Sequence, residues 1–388
     1  MGAVNDASVT RRRLLAGVGS AVVAGLAGCG ASTAETAPRQ PASPTPTFDE
    51  AALRRKISSL LVVGFRGEAV DDNDWIVRAV RNGLGGVILF DRDLATDGPR
   101  NITSPAQVTA LVRSLKQASP GRLIVSIDQE GGRVARLNPG NGFPATKSEA
   151  EIGAQNSPPA TRAWAQQIVD SLRSIGANLN YAPVVDLDLN PNNPAIGQLG
   201  RSFSADVGVV VTNATEEIQV HRAGAVKTSI KHFPGFGTAT GNTDFDVVDV
   251  SRTWRRTELL PFQQLIRNGM ADSVLVAHLI NTQLDPRLPT SLSRAVVTDL
   301  LRGQLGFQGP TVSDDMQAAA ILNRYGQNEA VTLGLQAGLD LLVFANQQVY
   351  NPNIVEETLD NVVNLVRDGR VTQAQIDQAV ARVDTLRP

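Results

Sequence analysis

Eight short apolar runs, each separated from the next by a longer stretch of mixed polarity, constrain the fold of this chain more than any other feature. The runs are rich in Val, Ile and Leu and are almost continuously apolar, which is typical of strands buried on both faces of a parallel sheet. Stretches such as 206–223, 259–269 and 327–338 are long enough for crossover helices, and 354–368 and 372–386 are predicted to be closing helices. The runs lie at residues 61–65, 86–90, 123–128, 177–183, 226–233, 273–279, 309–314 and 339–345.

Eight strand–helix units predict an α/β fold in the form of a single closed (β/α)8 TIM-type barrel. We expect this barrel to occupy residues 48–388. The alternative arrangement for the same pattern is an open, doubly wound sheet.

Polar residues follow almost all of the predicted strands. Active sites of (β/α)8 barrels are built from the loops at the carboxyl ends of the strands, so this distribution predicts a polar pocket there. The residues concerned are Asp91, Asp128, Asn180, Lys231, His232, His278, Asp314 and Asn346.

The residue types at these strand ends favour sugar chemistry. Glycoside hydrolysis requires one carboxylate as nucleophile or base and one proton donor for the leaving oxygen. The three histidines form no His-x-x-x-His or Glu-x-x-His pair, so we expect neither a metal nor another cofactor. Magnesium bound by aspartates is the rival interpretation. A formal charge of −2 gives no indication of nucleic-acid binding.

The first 47 residues are predicted to be an export and anchoring segment. Residues 1–28 have the pattern of a twin-arginine-like lipoprotein signal peptide, with three arginines at 11–13, a short apolar run and Leu-Ala-Gly-Cys at 26–29. Cys29 is the only cysteine, which favours lipidation over a disulfide. Residues 29–47 are rich in Ala, Ser, Thr and Pro and are expected to be a flexible tether. We therefore expect an exported protein, anchored at Cys29 to the outer face of the cytoplasmic membrane or in the cell wall.

Five segments, in this order along the chain, resemble the compact β-N-acetylhexosaminidase branch of glycoside hydrolase family 3. The resemblance implies that Asp314 is the nucleophile of a retaining hydrolase. For Asp315 beside it we expect a supporting or capping role rather than that of the nucleophile. It also implies a set of sugar-binding residues, namely Asp128, Arg136, Arg201, Lys231 and His232. The segments are 85–90 (Gly-Gly-Val-Ile-Leu-Phe), 128–136 (Asp-Gln-Glu-Gly-Gly-Arg-Val-Ala-Arg), 199–203 (Leu-Gly-Arg-Ser-Phe), 231–235 (Lys-His-Phe-Pro-Gly) and 313–316 (Ser-Asp-Asp-Met).

The chain departs from the family pattern in the loop that follows Lys-His-Phe-Pro-Gly. The family has an Asp-Ser-His segment there, whose histidine is the proton donor. Counting without gaps, Asn242 replaces that aspartate and Asp244 replaces that histidine. Three hypotheses follow: Asp244 is the acid, with a raised pKa; Asp246 or His232 donates instead; or the protein has lost hydrolysis and only binds sugar.

The resemblance and the predicted anchor together predict an exo-β-N-acetylglucosaminidase that acts on peptidoglycan-derived sugars, in cell-wall recycling, through a glycosyl-enzyme intermediate on Asp314. The alternatives are a catalytically impaired lipoprotein that binds sugars or muropeptides, and a family 3 glycosidase of altered specificity that cleaves β-glucosides or β-xylosides.

Overall fold

Eight parallel strands close into a barrel, as the eight apolar runs predict. The computed structural model describes residues 49–388. Around the barrel the strand order is β1-β10-β9-β8-β7-β6-β3-β2, and β2 pairs with β1 to close the ring. A separate antiparallel hairpin, β4–β5, directly follows β3. The strands are β1 (Leu61–Gly64), β2 (Gly86–Ile88), β3 (Ile124–Ile127), β4 (Gln129–Gly131), β5 (Val134–Ala135), β6 (Leu179–Asn180), β7 (Lys227–Phe233), β8 (Ser273–Val276), β9 (Thr311–Asp315) and β10 (Leu341–Phe344).

Helices follow the barrel strands and pack around them. They are α1 (Glu50–Ser58), α2 (Trp75–Arg81), α3 (Pro105–Ala118), α4 (Glu149–Gln155), α5 (Pro158–Ile175), α6 (Val207–Ala223), α7 (Leu260–Arg267), α8 (Ala319–Ala337), α9 (Ile354–Arg367) and α10 (Gln373–Val383). A π-helix, Ala295–Gln304, lies between β8 and β9. Short 3₁₀ turns occur at Pro139–Asn141, Gly197–Leu199, Arg256–Leu259, Thr290–Leu292 and Asp384–Leu386.

Capping residues explain where several helices begin. Ser104 accepts a hydrogen bond from the Gln107 amide at the start of α3, and Asp206 does the same for Val209 at the start of α6. The predicted helix at 327–338 is the second part of the longer α8, which is interrupted by non-helical backbone at Gly326.

The apolar runs form the core of the barrel, because their strands are buried on both faces. Every residue of β1, β3, β8 and β10 is buried, because the barrel interior covers one face of each strand and the helices cover the other. Since all barrel pairs are parallel, the loops that leave the strands gather at one end of the barrel.

Among residues 49–388, no helix combines the length and the apolar character that crossing a bilayer requires. The predicted signal peptide (1–28), the tether (29–47) and the lipidation site at Cys29 lie outside the described residues, so they remain predictions.

Candidate active site

A cavity of about 450 Å³ opens at the carboxyl end of the barrel strands. All seven residues that the sequence assigned to catalysis or sugar binding line it, although they come from four different strand–loop segments. They are Asp128, Arg136, Arg201, Lys231, His232, Asp244 and Asp314. The structure therefore brings the whole predicted set together.

A buried ionic network forms one wall of the cavity. Lys231 Nζ lies 2.6 Å from Asp128 Oδ1 and 2.6 Å from Glu130 Oε1. Arg201 forms a two-pronged pair with Glu130, at 2.7 Å from Nε and 2.7 Å from Nη2. Burial opposes ionisation of Glu130, but the charges of Arg201 and Lys231 prevail and hold its pKa below the ordinary value. Glu130 thus fixes both cations while Asp128 remains partly exposed to the cavity.

Arg136 approaches the network from the hairpin β4–β5. Its Nη2 lies 4.0 Å from Asp128 Oδ2, and its guanidinium carbon lies 5.4 Å from the ring centre of Phe90. Its buried Nε has no hydrogen-bond acceptor among the described residues. The arginine is therefore aligned by packing and retains donor capacity for a ligand.

His232 is held on both ring nitrogens. Nδ1 lies 2.6 Å from Asp186 Oδ2, and Nε2 lies 3.2 Å from Arg201 Nη2. Because a guanidinium can only donate, Nε2 must accept, and the ring proton lies on Nδ1, facing Asp186. In this tautomer the nitrogen nearer Arg201 carries no proton, which disfavours His232 as a proton donor to a substrate.

The two aspartates at the end of β9 have different surroundings. Asp314 is partly exposed in the cavity, whereas Asp315 is buried and its Oδ1 accepts the amides of Gln317 and Ala345. Burial, with smaller contributions from the charges of Asp244 and Asp314, raises the pKa of Asp315 to about 7. Of the pair, Asp314 is therefore the accessible carboxylate, and Asp315 supports the turn that presents it.

His278 belongs to the core beneath this turn. Its Nδ1 lies 2.6 Å from Ser291 Oγ and its Nε2 lies 2.9 Å from the carbonyl oxygen of Asp315. The ring is almost fully buried and does not line the cavity. Its function here is to hold the backbone after Asp314.

Asp244 is fixed against the start of α8, the helix that follows β9. The Thr243 and Asp244 carbonyls accept the amides of Ala320 and Ala319, at 3.1 and 3.2 Å. These amides belong to the first turn of α8, which has no side-chain cap, so the loop supplies partners that the helix itself lacks. The contact joins the loop carrying Asp244 to the segment carrying Asp314.

The surroundings of Asp244 favour its protonated form. Burial raises its pKa to about 6, and the charge of Asp314 adds to the rise, while the charge of Arg201 opposes it. Asp246, the other carboxylate that the sequence left open as donor, is exposed and does not line the cavity. Asp244 is therefore the carboxyl group in this loop that combines position with a suitable pKa.

The first part of the same loop is tightly packed. The backbone at Gly235 has φ +116°, and a Cβ at Gly237 would lie 1.8 Å from the Leu187 carbonyl oxygen. Glu258 accepts the Gly237 amide at 3.0 Å and the Thr238 hydroxyl at 2.9 Å. The glycines in this part of the loop therefore serve close packing, although on sequence alone they suggest mobility.

Two carboxyl groups lie buried behind the ionic network. Glu149 accepts the Val184 amide at 2.9 Å through one oxygen, whereas neither oxygen of Glu217 has a partner among the described residues. Burial is the main cause that raises the pKa of both groups well above the ordinary value, and for Glu217 the charge of Glu130 adds to it. Both side chains are thus favoured in the neutral form.

Sequence reasoning did not assign roles to Glu130, Asp186 or Glu258. Glu130 stands two positions after Asp128, and Asp186 follows β6, so their polar strand-end positions were the available signal. Glu258 lies in the 3₁₀ turn Arg256–Leu259, about 20 residues after the loop that it holds. Nothing in the sequence around Glu258 indicates that contact. Within residues 49–388, no group of three or more His, Cys, Asp or Glu is arranged to hold a metal ion.

Comparison with known proteins gives one consistent group. Residues 52–386 match the model of the glycosyl hydrolase family 3 N terminal domain. A curated beta-hexosaminidase from Xanthomonas oryzae pv. oryzae is 33% identical over 314 residues, which cover 78% of this chain and 87% of that protein.

Solved structures agree with this result. A family 3 beta-N-acetylglucosaminidase from Paenibacillus sp. str. FPU-7 has a TM-score of 0.78 and 32% identity over 86% of this chain, and the match spans 62% of that longer chain. A beta-N-acetylhexosaminidase from Beutenbergia cavernae DSM 12333 has a TM-score of 0.76 and 31% identity, and it covers 85% of this chain and 97% of its own.

Proposed function

The chain belongs to glycosyl hydrolase family 3, and from that premise we propose that this glycoside hydrolase is a retaining exo-β-N-acetylglucosaminidase. The observation that carries the proposal is the meeting of Asp314 and Asp244 in one cavity, each close enough to the other for their charges to interact. The hexosaminidases among the relatives support the choice of sugar.

In the first step, the Asp314 carboxylate attacks the anomeric carbon of the bound sugar while the glycosidic bond breaks. Asp244 transfers its proton to the departing oxygen, so the aglycone leaves as a neutral alcohol. The products are a glycosyl ester on Asp314 and an ionised Asp244.

In the second step, Asp244 removes a proton from water as the water oxygen attacks the same carbon. The ester bond breaks, Asp314 is released, and the sugar leaves with its original β configuration. Asp128, Arg136 and Lys231 bind the sugar hydroxyls at the buried end of the cavity. Arg201 and His232 complete that wall. Because their buried partners already hold them in place, these side chains lose little entropy when a ligand binds.

The test is release of the aglycone from an aryl β-N-acetylglucosaminide by the purified protein and by Asp314→Ala. We expect turnover in the first and near-complete loss in the second. A fluorinated substrate should leave an adduct that mass spectrometry maps to Asp314. Sugar binding with no turnover above that of Asp314→Ala would leave only the binding-protein alternative, and an adduct on another side chain would refute the nucleophile assignment. Aryl β-glucoside and β-xyloside in the same assay test altered specificity.

We further propose that the natural substrates are peptidoglycan-derived fragments, met outside the cell by a lipid-anchored enzyme. The Arg-rich start, the Leu-Ala-Gly-Cys segment and the single cysteine support this location. Cys29→Ser should move the protein from the membrane fraction to the soluble fraction and abolish labelling by a radioactive fatty acid. Release of N-acetylglucosamine from purified muropeptides, measured by chromatography, tests the substrate; intact muropeptides would refute it.

A further inference from the structure

Four large apolar side chains are exposed among residues 49–388, and all four lie in loops at one end of the barrel. Their exposed fractions are 52% for Leu94, 66% for Phe245, 46% for Val247 and 47% for Val349. The loops follow β2, β7 and β10, which places these side chains at the cavity end of the molecule. Single exposed apolar residues are ordinary on a protein surface, but their confinement to one end of the barrel is not.

Two of the four belong to the cavity itself. Leu94 and Phe245 line it, whereas Val247 and Val349 do not. The Leu94 amide donates to Gln347 Oε1 at 3.0 Å, which fixes the β2 loop to the β10 loop. The Phe245 amide donates to the Asn242 carbonyl at 3.2 Å in a turn that also holds Asp244. Both apolar side chains are therefore presented from anchored backbone.

The cavity is thus divided into two chemically different parts. The wall with the ionic network is charged and buried, with Lys231 only 2% exposed, whereas Leu94 and Phe245 are the exposed large apolar side chains among the described residues that line the cavity. A sugar with many hydroxyls suits the charged wall. Phe245 directly follows Asp244, the proposed donor to the glycosidic oxygen, and both residues line the cavity, so Phe245 is near the place where the leaving group departs.

We propose that Phe245 and Leu94 form the aglycone site, which binds the apolar face of the leaving group and so determines which β-N-acetylglucosaminides are cleaved. This assignment rests on the proposed function for the position of the sugar. Contact with an apolar aglycone covers two side chains that are otherwise in water, which favours binding of such substrates over those with a short polar leaving group.

The test measures how affinity changes when the aglycone is lengthened and the sugar is kept. The probes are the S-methyl and S-hexyl thioglycosides of N-acetylglucosamine, which resist hydrolysis, and calorimetry with the full chain gives their Kd values. We expect the hexyl compound to bind about tenfold more tightly to the unaltered protein, a preference of about 1.4 kcal/mol. Phe245→Ala and Leu94→Ala should each reduce this ratio to about twofold or threefold, and Phe245→Leu should restore most of it.

Val247→Ala is the matched control, because Val247 lies on the same loop and is exposed, yet does not line the cavity. It should leave the hexyl-to-methyl ratio unchanged. Equal Kd values for the two probes, or the same loss of preference in Val247→Ala as in Phe245→Ala, would overturn the assignment.

Hydrolysis of the matching O-methyl and O-hexyl glycosides separates this inference from the proposed function. The two leaving alcohols have similar acidity, so a difference in kcat/KM reports contact rather than leaving-group chemistry. Turnover of both compounds with no hexyl preference would refute the aglycone site and keep the hydrolase. A hexyl preference in binding without turnover of either compound would keep the aglycone site and refute the proposed β-N-acetylglucosaminidase activity.

Discussion

Replacing Asp244 by asparagine removes the proposed proton donor while keeping the size and shape of the side chain. Asparagine cannot protonate a leaving oxygen, and loss of a general acid typically slows catalysis by about 10²- to 10⁴-fold. The loss should be large for a disaccharide, whose leaving alcohol is a poor leaving group. In kcat/KM, which reports the first step, the loss should be slight for a nitrophenyl glycoside, because its phenolate leaves with little help.

The pKa of Asp244 sets the pH dependence of the same step. The burial and the Asp314 charge that raise this pKa to about 6 keep the acid protonated below that pH. The protonated fraction then falls to about one tenth at pH 7 and about one hundredth at pH 8. Disaccharide cleavage should therefore decline about tenfold per pH unit above pH 7, and this decline should be absent in Asp244→Asn.

Steady-state kinetics on both substrates from pH 5 to pH 8 provide the measurement, with circular dichroism to verify folding. Asp246→Asn is the control, because that carboxylate is exposed on the same loop and does not line the cavity. Equal losses in kcat/KM on the disaccharide and the nitrophenyl glycoside would refute the role of Asp244 as the acid, as would an unchanged alkaline limb in Asp244→Asn.

Three other changes test the supporting structure. Glu130→Gln removes the carboxylate that pairs with the buried Arg201 and Lys231, and it should lower the free energy of unfolding, measured in urea, by about 3–5 kcal/mol. A loss below about 1 kcal/mol would show that the ionic network contributes little to stability. Glu217 holds its proton more tightly when folded, so the stability of the unaltered protein declines as pH rises above the unfolded pKa. Glu217→Gln should therefore gain Tm relative to it between pH 5 and pH 8, and a constant Tm difference would count against a buried neutral acid. Gly237→Ala forces the loop away from the Leu187 carbonyl and should reduce kcat/KM on disaccharides by about 10²-fold; full activity would show that the close packing is dispensable.

The fold was predictable from the sequence because strands covered on both faces must be apolar along their whole length. The eight runs therefore gave the strand positions, as Leu61–Gly64 and Leu341–Phe344 illustrate. The start of α8 was missed, since Gly326 interrupts the helical pattern there. Its first turn depends on contacts with a loop more than 70 residues earlier, which no local pattern encodes.

The site was predictable only in part. Strand-end positions and family motifs indicated Asp128, Lys231 and Asp314, because those side chains stand where a barrel strand meets its loop. Asp186 follows β6 in the sequence, but its contact with His232 arises only when two neighbouring strands bring distant segments together. Phe245 is an exposed aromatic residue in a polar loop, and its importance appears only once the cavity is defined.

The hydrogen bonds between the Asp244 loop and the first turn of α8 couple the positions of the Asp244 and Asp314 carboxyl groups. A shift of α8 along its axis would move Asp244, because the Asp244 carbonyl accepts a hydrogen bond from the first turn of this helix. The same shift would move the segment that joins Asp314 to α8. We therefore expect the distance between the two carboxyl groups to change little when the surrounding helices move. The same coupling means that an exchange of the side chain at 244, from imidazole to carboxyl, needs no new scaffold, because the anchoring is done by main-chain atoms that every residue possesses.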